Sequence, residues 1–144
     1  MPRDLPVGNG SLLVNVDHTG QVRDIFWPHV GQENHTNGRV CRLGVWVDNR
    51  FSWLGDDDWQ RTLRYGMDSL VTDSILENTA LGIRLLLRDG VDFHENLFIR
   101  QVTIENNDSR EREVRLFFCY DLPLSLTTVG DSACYEPSIC SSYP

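Results

Sequence analysis

The side chains best suited to chemistry lie in one run, Trp27-Pro-His-Val-Gly-Gln-Glu-Asn-His-Thr-Asn-Gly38. It sets His29, Glu33, Asn34 and His35 beside the Trp27 indole. Imidazole, carboxylate and amide groups can hydrogen-bond sugar hydroxyls, and an indole can stack on a sugar face. A polar loop carried on a rigid scaffold is a common seat for such a site. The plainer account is that these groups satisfy local backbone and a neighbouring domain. His29, His35 and Glu33 could also offer metal ligands. Their spacing matches no zinc pattern, so no metal site is expected.

Other clusters carry less. Asp56-Asp57-Asp58-Trp59 is a compact acidic turn. It lacks the alternate acidic positions, central glycine and terminal glutamate of a calcium loop, so a solvated turn or helix start is expected. Asp92-Phe-His-Glu95, read as a strand, puts Asp92 and His94 on one face and Phe93 and Glu95 on the other. It is not an H-E-x-x-H motif. No nucleophile elbow, P-loop or dinucleotide fingerprint occurs, and Gly8-Asn-Gly10 is a strand-edge turn. Trp27, Trp46, Trp53 and Trp59 could together make a sugar platform, but aromatics usually end up packed. Trp46 alternates with Val45 and Val47 and is assigned to core or interface.

The elements that must hold these groups read as strands. Leu81, Ile83, Leu85 and Leu87 alternate with Gly82, Arg84, Leu86 and Arg88. The same period of two runs through Val102–Glu105 and Val114–Tyr120. Alternation suits a half-buried strand, whose successive side chains point to opposite faces. Strands are expected near 11–16, 21–27, 40–48, 51–54, 69–77, 80–88, 91–95, 97–105 and 112–121. Asp89-Gly90 and Asp48-Asn49-Arg50 read as tight hairpin turns, and Asn106-Asn107-Asp108-Ser109 as a polar turn joining two long strands. The charges of Glu105–Arg115 are interleaved and read as a solvated hairpin. No capped helical pattern longer than about ten residues is present. Many short strands joined by turns predict an all-β antiparallel sandwich or barrel. Ser138–Pro144 breaks the alternation and reads as a tail.

The chain has 144 residues, enough for one domain with a core. Its net charge is −8, and all 13 basic residues are arginine. An acidic surface without a basic cluster argues against nucleic acid and anionic membrane as partners. No apolar run approaches the roughly 18 residues of a membrane span, and the N-terminus lacks a signal-peptide core, so a cytoplasmic location is expected. Cys41 and Cys119 fall in apolar strands and read as small core residues. Cys134 and Cys140 could bridge in an oxidising compartment, but free thiols are expected in the cytoplasm.

Six segments taken together carry a family resemblance. They are Val7-Gly-Asn-Gly-Ser11, Arg23-Asp-Ile-Phe-Trp-Pro-His-Val-Gly-Gln-Glu-Asn-His35, Gly44-Val-Trp-Val47, Val91-Asp-Phe-His-Glu-Asn96, Glu111-Arg-Glu-Val-Arg-Leu-Phe-Phe118 and Val129-Gly-Asp131. From about Leu5 to Pro137 the chain resembles the N-terminal β-domain of bacterial glycoside hydrolase family 15 proteins, the glucoamylase and glucodextranase group. The resemblance implies the first part of an antiparallel super-sandwich of the galactose-mutarotase type, spanning 1–137, with 138–144 as a divergent tail. It also implies an (α/α)6 catalytic barrel as partner and inverting hydrolysis of α-glucosidic bonds. Both catalytic carboxylates of such proteins lie in the barrel. Glu33, Glu77, Glu95 and Glu105 match no catalytic motif, so no catalytic residue and no cofactor are assigned here.

The expected role is therefore non-catalytic. Trp27, His29, Glu33, Asn34 and His35 would face the barrel interface or the substrate cleft. The alternatives are a stand-alone module that binds α-glucan and a ligand-free structural remnant. The family's β-domain runs on past the position of Asp131, so a truncated chain, an early stop or a frameshift is expected. A half-built sandwich exposes strand edges, which predicts self-association or domain swapping.

Overall fold

The computed structural model describes residues 4–123, 134–138 and 141–143. Among them the protein is all-β, every paired strand is antiparallel, and there is no helix to cross a membrane. The strands are β1 (Leu5–Gly8), β2 (Leu13–Val16), β3 (Val22–Phe26), β4 (Arg42–Val47), β5 (Arg50–Trp53) and β6 (Gln60–Thr62). They continue as β7 (Ser74–Asn78), β8 (Ile83–Val91), β9 (Phe98–Asn106), β10 (Val114–Cys119), β11 (Cys134–Glu136) and β12 (Ser141–Tyr143).

Two sheets, ordered β6-β7-β8-β9 and β10-β4-β5, contribute to one buried cluster and make a sandwich-like body. Leu43, Val45 and Val47 of β4 meet Leu76 of β7 and Ile83, Leu85 and Leu87 of β8, with Leu54, Trp59 and Leu81 closing the cluster. These side chains share one face of each strand because the period is two, and their removal from water drives the two sheets together. A third sheet, β1-β2-β3, buries Val7, Leu12, Val14 and Val22 in a second cluster with Cys41. That burial pushes the Cys41 thiol up to about 11, so it remains protonated at neutral pH. Cys119 is half-buried.

The Asp48–Asn49 turn follows the sequence. Val47 pairs with Arg50, and the two central residues have φ of 50° and 58°, the left-handed pair of a type I′ hairpin. Asp89-Gly90 does not turn; both lie inside β8. The Asp89 carboxylate is fully buried, and Arg100 of β9 donates to it from Nε at 2.6 Å and Nη2 at 2.8 Å. Arg100 also donates to the Gly20 carbonyl at 3.1 Å. A buried, fully partnered ion pair overrides the local turn preference of Asp-Gly.

The turn comes a few residues later. Asp92 Oδ1 accepts from the backbone N–H of His94 at 2.9 Å and Glu95 at 2.8 Å. Of the expected strand at 91–95, Val91 ends β8 and the rest is the β8–β9 turn, so Asp92 and His94 do not share a strand face. Those two amide hydrogen bonds hold the Asp92 carboxyl below the usual carboxylate range.

The segment after β9 is not a hairpin either. β9 belongs to the four-stranded sheet, whereas β10 pairs with β4, with Leu116 opposite Val45. Arg110 and Arg115 make exposed ion pairs with Asp48 and Glu113. Arg112 is instead buried, and donates to the Leu81 and Gly82 carbonyls at 2.9 Å each and to Asn106 Oδ1 at 3.0 Å. It ties the crossover to the β7–β8 turn, which a solvated side chain could not do.

Short strands at β1 and β6 were absent from the periodic pattern. Part of the expected tail, Ser141–Tyr143, is β12 and pairs with β11. Cys140 and the Val129–Asp131 segment lie outside the described residues.

Candidate functional site

The Trp27–Gly38 loop leaves the end of β3 and folds back along it. The backbone N–H of His35 donates to the Ile25 carbonyl at 2.7 Å, and Thr36 Oγ1, fully buried, donates to the Arg23 carbonyl at 2.8 Å. Asn34 is the hub. Its Oδ1 accepts from Ile25 N and Thr36 N at 3.2 and 3.1 Å, and lies 2.9 Å from Thr36 Oγ1, whose single proton goes to the Arg23 carbonyl. Its Nδ2 donates to Asp24 Oδ1 at 2.8 Å.

Asp24 receives two further donors at Oδ2, Asn15 Nδ2 at 3.0 Å and Arg23 Nε at 2.8 Å. Partial burial works against ionisation of Asp24. The hydrogen bonds from Asn15, Arg23 and Asn34 outweigh it and hold the carboxyl below the usual carboxylate range. His35 Nε2 lies 2.9 Å from the Trp27 carbonyl oxygen. A carbonyl only accepts, so Nε2 carries the proton.

The loop thus divides into a base and a rim. Asn34 and His35 are committed to holding the loop on β3. His29 and Glu33 face outward, and with Pro28 and Gln32 they line a shallow open cleft of about 390 Å³. Trp27 is 45% exposed, and its ring stands 6.3 Å from that of His35. The structure therefore brings the five expected residues into one loop but separates them by role.

The rim offers one carboxylate, one imidazole and an indole edge, a hydrogen-bonding and stacking set. Inverting glycoside hydrolysis needs two carboxyl groups about 6.5–9.5 Å apart, and among the described residues Glu33 is the single carboxylate lining this cleft. Among the described residues no three His, Cys, Asp or Glu side chains converge as a metal-binding group.

The sequence reading missed Asp24 and Thr36 as supports of the loop. A signal existed for Asp24. It faces Asn15 across β2 and β3, where two polar side chains in register can bond each other.

The other tryptophans do not join the loop. Trp59 is 3% exposed, and its Nε1 donates to Ser52 Oγ at 2.8 Å. Ser52 donates in turn to Asp58 Oδ1 at 2.9 Å, and Asn78 Nδ2 reaches Asp58 Oδ2 at 2.6 Å. Asp56 Oδ2 caps the Trp53 N–H at 2.8 Å. The acidic run is thus a turn, as expected, and two of its carboxylates are tied into the fold. Trp53 is half-buried and meets Phe51 edge-on at 4.7 Å, with the Arg42 guanidinium 4.8 Å above it. Trp46 is half-buried beneath Arg115 at 4.9 Å.

Fold and loop together define the class: an antiparallel all-β domain that presents one braced, aromatic-edged polar loop. Comparison with known proteins narrows this. Over 134 residues, 93% of the chain, it is 34% identical to a protein of Methanocaldococcus jannaschii named an uncharacterized glycosyl hydrolase. The chain spans about a fifth of that relative's length, 21%. It is thus related to part of a protein named as a glycoside hydrolase. No family profile matches the chain, and no solved structure does.

Proposed function

We propose that this chain is a non-catalytic β-domain of a glycoside hydrolase family 15-like protein. It packs against a catalytic (α/α)6 barrel and shapes the approach to the substrate cleft. The observation that carries the proposal is the relation in the relative. A match over nearly the whole chain takes up 21% of a protein named as a glycosyl hydrolase. The single-carboxylate rim supports the same reading, because it can orient a sugar or a neighbouring surface but cannot supply both partners of an inverting pair. Glu33 and His29 would hydrogen-bond at that contact, and Trp27 would supply the apolar edge.

The test mixes the purified chain with the unmatched portion of the relative. Binding between the two and glucose release from maltose, isomaltose or trehalose are then measured. Association with restored hydrolysis is expected, while the chain alone releases no glucose. Hydrolysis by the chain alone, through repeated purification, would overturn the proposal.

A second reading, α-glucan binding by the isolated domain, is favoured by the half-exposed Trp27 indole. It predicts saturable quenching of tryptophan fluorescence by maltooligosaccharides, lost in Trp27→Ala. Trp59 cannot contribute, because it is buried.

A further inference from the structure

β10 ends its sheet, and among the described residues its outer edge has no strand partner. Its side chains are unusually apolar for an edge. Phe117 is 44% exposed and Phe118 is 49% exposed; Tyr120, just beyond, is 50% exposed and stacks on Phe118 with an interplanar angle of 4°. Phe118 stands opposite Leu43, a core residue, so it lies on the inner face of the sandwich yet remains half open to water. Natural sheets blunt exposed edges with lysine, proline or inward charge. β10 has neither lysine nor proline, and its one charge, Arg115, points outward with Trp46. β9, the edge of the other sheet, is better protected by Arg100, Gln101, Thr103 and Glu105.

We infer that β10 is a homodimerisation edge, taking the β10 of a second copy in antiparallel pairing about a two-fold axis at Leu116. The occupant follows from self-complementarity. Centred there, Leu116 faces Leu116 of the second copy and Val114 faces Phe118, all on the core side. Arg115 faces Phe117 on the solvent side. Aromatic–β-branched and cation–aromatic neighbours are favourable across strands. The neighbouring registers that keep the faces aligned are worse. Centring on Arg115 sets two guanidiniums opposite each other, and centring on Phe117 sets Glu113 against Asp121. The product is a six-stranded sheet, β5-β4-β10-β10-β4-β5, in which the half-open Phe118 rings gain a cover. The pairing makes no use of the Trp27 loop.

Sedimentation equilibrium of the 144-residue chain over a range of concentrations tests this, with circular dichroism to confirm that each variant keeps its β-structure. A monomer–dimer equilibrium is expected. Phe117→Arg places an arginine opposite Arg115 and should raise the dimer dissociation constant by about tenfold or more. The double variant Arg115→Glu with Phe117→Arg places opposite charges across the two-fold and should restore the wild-type constant to within about threefold. A monomer at every concentration, a dimer indifferent to Phe117→Arg, or a double variant no tighter than the single one would each overturn the assignment.

Discussion

Two loops in this molecule combine acidic and indole groups with an amide partner, supplied by Asn34 within one loop and by Asn78 of β7 to the other, and the fold treats them in opposite ways. In Asp56–Trp59 the indole is inside, and Ser52, Asp58 and Asn78 form a chain of hydrogen bonds behind it. In Trp27–Gly38 the amide is inside and the indole stays at the surface. The polar atoms are satisfied in the base of both loops. What separates them is which group each loop leaves unspent. Asp56–Trp59 leaves little but the Asp57 carboxylate, whereas Trp27–Gly38 leaves His29 and Glu33 along a cleft and the Trp27 indole half-exposed.

Substitutions should magnify that contrast. Trp59→Ala removes a buried ring and the donor to Ser52, and is expected to cost about 3–5 kcal/mol in urea unfolding. A loss under about 1 kcal/mol would mean that the acidic turn is no more embedded than the Trp27 loop. Asn34→Ala should cost less, about 1–3 kcal/mol, because it orphans the Ile25 N–H and one Asp24 oxygen without emptying the core. If Asn34→Ala unfolds the chain as readily as Trp59→Ala, the division of the loop into base and rim fails.

The Asp24 carboxyl gives a smaller, pH-dependent signature. Its native pKa is lowered, so its contribution is complete above the ordinary carboxylate range and is lost as pH falls through the native value. Asp24→Asn should flatten the acid limb of stability against pH and leave the neutral region nearly level. An unchanged acid limb would show that the Asn15–Arg23–Asn34 cage does not stabilise the ionised form. The smallest effect belongs to the rim. Trp27→Ala and His29→Ala should each shift stability by no more than about 0.5 kcal/mol, since neither side chain is packed in the core.

Much of this was legible in residue types. The period of two placed β4, β8, β9 and β10, and Asp48-Asn49 announced its turn, because those signals are local. The errors share a cause. Asp89-Gly90 looks like a turn until Arg100, eleven residues on, claims the carboxylate. Arg112 looks solvated until the crossover brings it to the Leu81 and Gly82 carbonyls. Trp59 could not be assigned, because its partner Ser52 is found only after β5 and the acidic turn close on each other. In each case a polar side chain was read by its neighbours in sequence, while its environment was set by a contact between elements. The loop residues stand together in the sequence for the opposite reason: all five sit within nine consecutive positions.

The Arg100–Asp89 pair has a bearing on assembly as well as on the finished fold. The inner face of β9 carries Phe98, Val102 and Ile104 beside Arg100, whereas the outer face alternates Ile99 with Gln101, Thr103 and Glu105, so apolar burial and the ion pair favour the same alignment. A slip of β9 by one residue along β8 would turn the guanidinium to the outer face and leave Asp89 buried without a counter-charge. The pair therefore acts as a checksum on strand alignment: a misthreaded β9 is rejected by a buried charge left alone as well as by the apolar burial it loses.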